Sequence, residues 1–357
     1  MDPLINFFKS KRVFVTGHTG FKGSWLSFIL SEANAYVMGY ALDPITHPNH
    51  FELLNLKDKI HHITGDIRDL NLLTKSMNSF KPEIVIHLAA QALVRKSYED
   101  PVNTFSSNIM GSVNLLESVR CCDSVKSLVY ITSDKCYENV EWVWGYREND
   151  MMGGHDPYSA SKGAAELVFS AYLRSYFKNR KLGAASARAG NVIGGGDWSE
   201  DRIIPDCIRS IENGIKIKLR NPNATRPWQH VLEPISGYLL LAKKLYEEPT
   251  NFQGSWNFGP STQKVMTVYD VTQSIIKSFG KGEVEILQSE NKVHEANLLQ
   301  LNCDKAHQFL NWFPRWDVEE TLSATANWYK QVLEGGNAIE ITRSQINKYF
   351  SRGNNND

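Results

Sequence analysis

The order of apolar and polar positions in the first half of the chain predicts short buried strands that alternate with helices. Apolar runs of strand length occupy residues 11–16, 35–40, 60–64, 83–87, 127–132 and 182–187. Between the first two runs, Phe21 through Leu30 repeat apolar residues at helical spacing. Such alternation favours parallel strands joined by right-handed crossovers. The predicted fold class is therefore α/β, with a doubly wound (Rossmann) parallel sheet over residues 1–190.

The pattern changes after Arg188. Three glycines at 194–196 and prolines at 205, 222, 227, 234 and 260 divide the chain into short elements. We predict that residues 191–350 form mainly a smaller C-terminal substrate-binding lobe, with some segments returning to the first domain. Residues 351–357 are polar and rich in asparagine, which predicts a disordered tail.

Charge and cysteine content exclude several classes of protein. Lys plus Arg and Asp plus Glu are equal at 39 each, so no overall field attracts nucleic acid or a membrane surface. The apolar runs are too short to span a bilayer. Five cysteines lack the spacing of a disulfide framework or a zinc site, which predicts a cytoplasmic protein without a bound metal.

A glycine turn follows the first predicted strand and opens the first long helix. Its proposed cofactor contacts are Gly17, Thr19, Gly20, Phe21 and Gly23. Glycine lets the backbone approach a pyrophosphate, whose charge is stabilised at the helix N-terminus, although such a turn can also be purely structural. Asp43 ends the second strand, where a carboxylate can bind ribose hydroxyls and repel a 2′-phosphate. The pattern therefore predicts NAD rather than NADP.

Two further strand ends extend this predicted site. Asp66 and Ile67 follow the third strand and are placed to contact the adenine, although an acidic residue there is also common in a solvated turn. Leu88, Ala89 and Ala90 follow the fourth strand and offer small side chains where the backbone passes close to a cofactor.

Tyr158 and Lys162 are four residues apart after Pro157, which fits the first position of a helix. Residues at this spacing project from one helical face. An ammonium near a phenol favours the phenolate, so we expect Lys162 to lower the pKa of Tyr158 and to make it a general base. Tyr158 and Lys162 are also predicted to contact the cofactor. An exposed Tyr and Lys on an amphipathic helix would show the same spacing.

Taken together, the motifs resemble the extended short-chain dehydrogenase/reductase superfamily and, within it, the nucleotide-sugar 4,6-dehydratases. The resemblance extends from about residue 12 to about residue 316. It is carried by Thr132-Ser133-Asp134-Lys135, by Tyr158 and Lys162, and by the segments 188–198 (RAGNVIGGGDW), 226–231 (RPWQHV) and 294–296 (HEA). The resemblance implies a lyase that uses bound NAD to convert CDP-D-glucose to CDP-4-keto-6-deoxy-D-glucose and water, in deoxysugar and lipopolysaccharide biosynthesis.

One departure from the family pattern concerns the catalytic residues. Many dehydratases of the superfamily have Thr-Asp-Glu where this chain has Ser133-Asp134-Lys135, and a lysine at the third position is similar to the CDP-glucose branch. The resemblance implies that Ser133 binds the carbon-4 oxygen and that Asp134 is the acid for the leaving hydroxyl. Lys135 is either the carbon-5 base or a cation that stabilises the enolate. An ordinary strand-ending turn would also contain Ser and Asp.

The substrate brings a second pyrophosphate, for which arginine is the preferred partner. The predicted substrate contacts are Arg188, Asn191, Arg202, Arg220, Arg226, Trp228, His230 and His294. Single arginines are often surface residues. Trp228 and His230 also fit a packing role, which is common for aromatic side chains.

Helices near 104–120 and 158–176 carry apolar residues at helical spacing. In the superfamily such helices form a four-helix interface, which implies a homodimer or a dimer of dimers. A nucleotide-sugar 4-epimerase is an alternative function, because it shares the tyrosine, the lysine and the glycine turn. A non-catalytic dinucleotide-binding regulator is an alternative from another class, which would have no use for Ser133, Asp134 and Lys135.

Overall fold

A computed structural model describes residues 2–261, 266–287 and 298–352. Its centre is a parallel sheet of seven strands. From edge to edge the strands are Gly254–Asn257, Gly183–Arg188, Ser127–Ile131, Ile84–His87, Arg12–Thr16, Tyr36–Ala41 and His61–Thr64. The predicted doubly wound Rossmann sheet is confirmed.

The strand sequences explain why the sheet is covered on both faces. Successive side chains of a strand point to opposite faces. Val13 and Val15 accordingly lie in one apolar cluster with Trp25, while Phe14 lies in a second cluster with Leu115. Both clusters are buried, so these strands are apolar at consecutive positions rather than at alternating ones.

Helices fill the connections between the strands. The α-helices are Pro3–Asn6, Phe21–Glu32, His50–Leu53, Leu56–Lys59, Leu70–Phe80, Val94–Glu99, Pro101–Phe105, Gly111–Arg120, Pro157–Tyr172, Ile203–Glu212, Leu232–Glu247, Val268–Phe279, Asp304–Leu310, Val318–Leu333 and Ala338–Ser351. A 3-10 turn spans Asp134–Cys136, and π-helical turns span Ser106–Met110 and Leu173–Phe177. The π turns extend the two helices expected at a dimer interface.

The C-terminal half contributes short strands. They are Val192–Ile193, Ile217–Leu219, Thr225–Arg226, Gln229–His230, Met266–Thr267 and Val284–Ile286. Gly254–Asn257 instead pairs with Gly183–Arg188 and so returns to the main sheet. The division of the chain at residue 190 stays a prediction. The last helix includes Ser351, where the predicted tail begins, and residues 353–357 lie outside the described part.

The helix that carries Tyr158 and Lys162 begins with a strong N-terminal cap. The Asp156 side chain accepts a hydrogen bond from the backbone N–H of Ser159, and Pro157 occupies the first turn. The helix packs closely against the turn Asp134–Cys136, so its start is fixed beside the end of the fifth predicted strand. Both Tyr158 and Lys162 are buried.

Candidate active site

A cleft of about 410 Å³ lies along the carboxyl ends of the first four strands in the sequence. Its position follows from the fold, because ligands of open parallel sheets bind at that edge. The cleft contains every predicted cofactor contact except Tyr158 and Lys162. The predicted contacts that line the cleft are Gly17, Thr19, Gly20, Phe21, Gly23, Asp43, Asp66, Ile67, Leu88, Ala89 and Ala90.

The glycine turn is built so that only glycine fits at two positions. Gly17 has φ of +73°, and a β carbon there would lie 2.7 Å from the backbone nitrogen of Ala89. A β carbon at Gly23 would lie 2.0 Å from the carbonyl oxygen of Gly17. Thr19 Oγ1 donates a hydrogen bond of 2.8 Å to the Leu42 carbonyl, which ties the turn to the end of the second strand.

A chain of hydrogen bonds connects the glycine turn with Asp43. His18 Nε2 lies 2.7 Å from His62 Nδ1, and His62 Nε2 lies 3.3 Å from Thr64 Oγ1. Thr64 Oγ1 in turn donates to Asp43 Oδ1 at 3.2 Å. Burial, and then the neighbouring His62, lowers the pKa of His18 to about 3. Sequence reasoning missed this chain, because His18, His62 and Thr64 come together only in the folded sheet.

Asp66 has a partner that the sequence prediction did not include. The Arg68 guanidinium hydrogen-bonds both carboxylate oxygens of Asp66, and these hydrogen bonds hold the pKa of Asp66 below its ordinary value. Arg68 also lines the cleft. The sequence did contain a signal for this ion pair, because Asp66 stands two residues before Arg68 in the loop that follows the third strand.

Ser133, Asp134 and Tyr158 come together at the end of the fifth strand. Ser133 Oγ donates a hydrogen bond of 3.0 Å to Asp134 Oδ1, and the Ser133 hydroxyl lies close enough to the Tyr158 phenol to oppose part of the rise in its pKa. Asp134 is 2% exposed, and within the described residues its Oδ2 has no hydrogen-bond partner. Lys135 follows in the same turn, half-buried, with its backbone N–H directed at Ser133 Oγ.

The expected lowering of the Tyr158 pKa is wrong for the protein alone. Burial raises the pKa of Tyr158 to about 12, and the hydrogen bond with Ser133 opposes this only in part. Burial also lowers the pKa of Lys162 to about 8. Tyr158 and Lys162 are more buried than residues on an exposed helix surface, so desolvation disfavours both the phenolate of Tyr158 and the ammonium of Lys162.

Lys22 is a further charged residue of the cleft that sequence reasoning missed. It stands in the first turn of helix Phe21–Glu32 and is half-buried. Burial, followed by the charges of Lys162 and Arg202, lowers its pKa to about 8, while Asp134 opposes the shift. The signal in the sequence was a lysine within the glycine turn.

Arg188 is a structural residue and not the predicted phosphate contact. Its guanidinium donates to both carboxylate oxygens of Glu166 at 2.9 and 2.8 Å, to the Tyr137 hydroxyl at 2.6 Å and to the Glu148 carbonyl at 3.0 Å. Burial alone would raise the pKa of Glu166, but Arg188 holds it below the ordinary value. Arg188 is 2% exposed and its guanidinium is already bound to Glu166, so it is not available to a phosphate.

The other predicted substrate contacts divide by location. Arg202 lines the cleft and pairs with Asp197 at 2.8 Å, while Arg220 pairs with Asp201 at the surface. Arg226 Nη1 donates to the Thr225 carbonyl at 2.8 Å. The backbone carbonyl oxygen of Asn191 accepts a hydrogen bond from the backbone N–H of Gln229. His294 lies outside the described residues.

Trp228 and His230 are packed into the core. His230 is fully buried between Trp25 and Trp316, with ring centroids 5.8 and 4.7 Å away, and burial lowers its pKa to about 3. Trp228 donates from Nε1 to the Met266 carbonyl at 3.3 Å. Both residues therefore fit the packing role, and neither is among the residues that line the cleft.

Residues 2–261, 266–287 and 298–352 contain neither a candidate metal site nor a candidate membrane span. No group of three or more His, Cys, Asp or Glu side chains is arranged to hold a metal ion. No helix in these ranges is long and apolar enough to cross a membrane.

Comparison with known proteins gives relatives over nearly the whole chain. The chain is 52% identical over 351 residues to CDP-glucose 4,6-dehydratase of Salmonella typhimurium, covering 97% of this chain and 98% of that protein. It is 26% identical to dTDP-glucose 4,6-dehydratase of Streptomyces antibioticus, covering 88% and 91%.

Solved structures share the fold at lower identity. One is DesIV, a dTDP-glucose 4,6-dehydratase from Streptomyces venezuelae with NAD and TYD bound, with a TM-score of 0.77, 22% identity and coverage of 92% of this chain and 99% of that one. Another is a UDP-glucose 4-epimerase from Thermotoga maritima, with a TM-score of 0.77, 24% identity and coverage of 90% and 99%. The family model described as GDP-mannose 4,6 dehydratase matches residues 14–325, and the chain therefore belongs to this family of nucleotide-sugar dehydratases.

Proposed function

We propose that this protein is an NAD-dependent CDP-D-glucose 4,6-dehydratase that forms CDP-4-keto-6-deoxy-D-glucose and water. The observation that carries the proposal is the buried contact of Ser133 with both Asp134 and Tyr158, next to a cleft lined by the glycine turn and Asp43. The relative that is 52% identical supports the same reaction and nucleotide.

The cleft fits a dinucleotide on its own geometry. Gly17 approaches Ala89 closely, and the start of helix Phe21–Glu32 lines the cleft, where the helix N-terminus can stabilise a pyrophosphate. Asp43 lines the same cleft just after the second strand, which is where an acidic residue binds the ribose hydroxyls in folds of this kind. When bound there, NAD supplies a hydride acceptor and donor for the sugar.

The protein residues move the protons. Tyr158 takes the proton of the carbon-4 hydroxyl, which requires that the positive charges of Lys162 and of a bound nicotinamide offset the effect of burial on the Tyr158 pKa. Ser133 hydrogen-bonds the carbon-4 oxygen. Asp134 donates a proton to the carbon-6 hydroxyl as it leaves as water. Lys135 removes the carbon-5 proton or, as a cation, stabilises the enolate. Each of these transfers contributes about 10²–10⁴-fold when the groups are within hydrogen-bond reach.

The nucleotide-sugar is proposed to lie against Asn191, Arg202, Arg220 and Arg226. Arg202 supports this placement most directly, because it lines the cleft and acts electrostatically on Tyr158. Its pair with Asp197 orients the guanidinium for a second anionic partner.

A product assay tests the proposal. The protein is incubated with CDP-, dTDP- and GDP-hexoses, and loss of one water is followed by mass spectrometry. We expect water loss from CDP-glucose and a 4-keto product that absorbs in strong alkali, and we expect Tyr158→Phe to abolish both. A product of unchanged mass would favour the 4-epimerase, and NAD binding without turnover of any sugar would favour the regulator.

We propose further that the protein is a cytoplasmic homodimer, or a dimer of dimers, that serves deoxysugar and lipopolysaccharide biosynthesis. Apolar side chains are exposed on the two predicted interface helices, and these are Val102, Phe105, Met110, Leu167 and Tyr176. Leu167 is 62% exposed, whereas a helix surface that stays in contact with water usually carries polar residues at such a position. Leu167→Glu is expected to yield monomers in light scattering, and an unchanged mass would contradict this interface.

A further inference from the structure

Lys22 is a charged residue of the cleft that none of the proposed roles uses. It stands in the first turn of helix Phe21–Glu32, and its side chain lines the cleft. A cation is unfavourable at this position, because the N-terminus of a helix carries a partial positive charge. A lysine that is half-buried there adds to the positive potential at this end of the cleft.

The charges around Lys22 make the site more positive still. Lys162 and Arg202 both act on Lys22 as like charges, and Asp134 is the carboxylate that acts on it in the favourable sense. Arg202 is already paired with Asp197, and Ser133 hydrogen-bonds one oxygen of Asp134. Lys22 therefore lies within electrostatic range of two other cations, and one of them, Arg202, lines the same cleft. Burial lowers the Lys22 pKa to about 8, so a large fraction of the side chain is charged near neutral pH.

We propose that Lys22 places its ammonium beside the nicotinamide ring of the bound dinucleotide and favours the reduced, uncharged ring over the oxidised, cationic one. The inference rests on the proposed function, because that reaction fixes where the ring must lie. The carbon that loses its hydride also carries the hydroxyl whose proton Tyr158 takes. The ring therefore lies next to Tyr158 and Lys162. Lys22 lines the cleft in which the dinucleotide is proposed to bind, and it is close enough to Lys162 and Asp134 to interact with them electrostatically.

Repulsion between two like charges that share a partly buried site is large enough to change relative affinities. A group that weakens the binding of the oxidised dinucleotide relative to the reduced one shifts the equilibrium between the two bound forms towards the reduced form by the same factor. Lys22 would therefore drive the first step of the dehydratase, the oxidation at carbon 4, in which two electrons and a proton leave that carbon as hydride.

A contact between Lys22 and the dinucleotide pyrophosphate is the competing explanation. The oxidised and reduced dinucleotides carry the same pyrophosphate and differ by one charge on the ring. A pyrophosphate contact therefore strengthens the binding of both forms equally, whereas a contact beside the ring separates them. ADP-ribose, which has the pyrophosphate and lacks the ring, distinguishes the two explanations independently.

The experiment measures dissociation constants of NAD⁺, NADH and ADP-ribose by calorimetry for the full chain freed of cofactor. Lys22→Met removes the charge at similar length, and Lys22→Arg keeps it. In Lys22→Met we expect the ratio of the NAD⁺ to the NADH dissociation constant to fall roughly tenfold. We expect it to change by less than about twofold in Lys22→Arg, with ADP-ribose affinity within about twofold in both variants.

Equal weakening of all three ligands in Lys22→Met would overturn the inference in favour of a pyrophosphate contact, and an unchanged ratio would overturn it outright. Lys22→Gln provides the same comparison if the methionine variant does not fold. Because these measurements need no turnover, they judge Lys22 separately from the dehydratase, which the product assay decides.

Discussion

Gly190 leaves the space in which the Asp134 carboxylate lies. A β carbon built on residue 190 would lie 1.7 Å from Asp134 Oδ2 and 2.1 Å from its Cγ. Asp134 is buried and its side chain is short, so it has little freedom to move away. Gly190, two residues after the end of the sixth strand of the chain, therefore determines where the carboxylate of the proposed acid can lie.

Substituting Gly190 with alanine is expected to displace Asp134 and to lower kcat by at least about 100-fold, the contribution of one positioned proton-transfer group. NAD affinity should be unchanged within about twofold, because Asp43 and the glycine turn are not disturbed. Steady-state kinetics and calorimetric titration with NAD give the two quantities.

The double variant Gly190→Ala/Asp134→Ala is the control for this effect. Removal of the carboxylate relieves the steric conflict, so the melting temperature should return towards that of the native protein while turnover stays low. If Gly190→Ala turned over CDP-glucose at the native rate, Asp134 would not be the acid.

Arg188 and Glu166 form a buried pair whose separation should be costly. Arg188→Met leaves the Glu166 carboxylate without its cation, and we expect a loss of about 3–5 kcal/mol in the free energy of unfolding. Denaturation by urea measures this loss. The double variant Arg188→Met/Glu166→Gln should be less destabilised than the single variant, since no unpaired charge remains.

The same variant tests the correction made to the predicted phosphate contact. KM for CDP-glucose should stay within about twofold of the native value in Arg188→Met at a temperature where the protein is folded. A KM raised by tenfold or more, with kcat unchanged, would restore Arg188 to the substrate site.

The features that the sequence predicts correctly are those with a local signal. The strands were predicted because consecutive apolar residues such as Val13, Phe14 and Val15 are buried on both faces of a sheet. The glycine turn and Asp43 were predicted because strand ends in a parallel sheet meet at one edge. Both signals lie within a few residues of the element that uses them.

The parts that sequence did not predict depend on contacts between distant elements. Arg188 binds Glu166, which is 22 residues away on a helix, and nothing in either segment specifies that pairing. The Tyr158 pKa was predicted from Lys162 alone, whereas burial by the whole fold determines it. Lys22 is next to the glycine turn in sequence, but its burial beside Lys162 is a property of the folded chain.

Asp43 should determine the preference between NAD and NADP. Asp43→Asn removes the negative charge that repels a 2′-phosphate and weakens the hydrogen bonds to the ribose hydroxyls. We expect NAD affinity to fall roughly tenfold and the affinity for NADP relative to NAD to rise by at least that factor. Competition titrations with both dinucleotides measure the change.

Thr64→Val is the matched control for Asp43. It removes the hydroxyl that donates to Asp43 Oδ1 at 3.2 Å but keeps the carboxylate. NAD affinity should fall by less than in Asp43→Asn, and NADP should gain nothing. An equal gain for NADP in both variants would show that the charge of Asp43 is not the discriminating feature.

Glu233 should make the stability of the fold depend on pH. Burial raises its pKa to about 7 from 4.5, although Tyr349 and the backbone N–H groups of Arg315 and Trp316 donate hydrogen bonds to it. Because the pKa is raised in the folded state, the stabilising contribution is fully present below pH 4.5 and is lost as pH rises through about 7. The total change is about 3 kcal/mol.

In Glu233→Gln this titration is absent, while the side-chain volume and the acceptor oxygen are kept. The Tyr349 hydroxyl can accept from the new amide and donate to Ser236, whose Oγ lies 3.0 Å away. The difference in unfolding free energy between the native protein and Glu233→Gln, measured by urea denaturation from pH 5 to pH 8, should therefore change in favour of the variant up to about pH 7 and level off above it. A difference that is constant across this range would mean that Glu233 keeps its ordinary pKa in the folded protein.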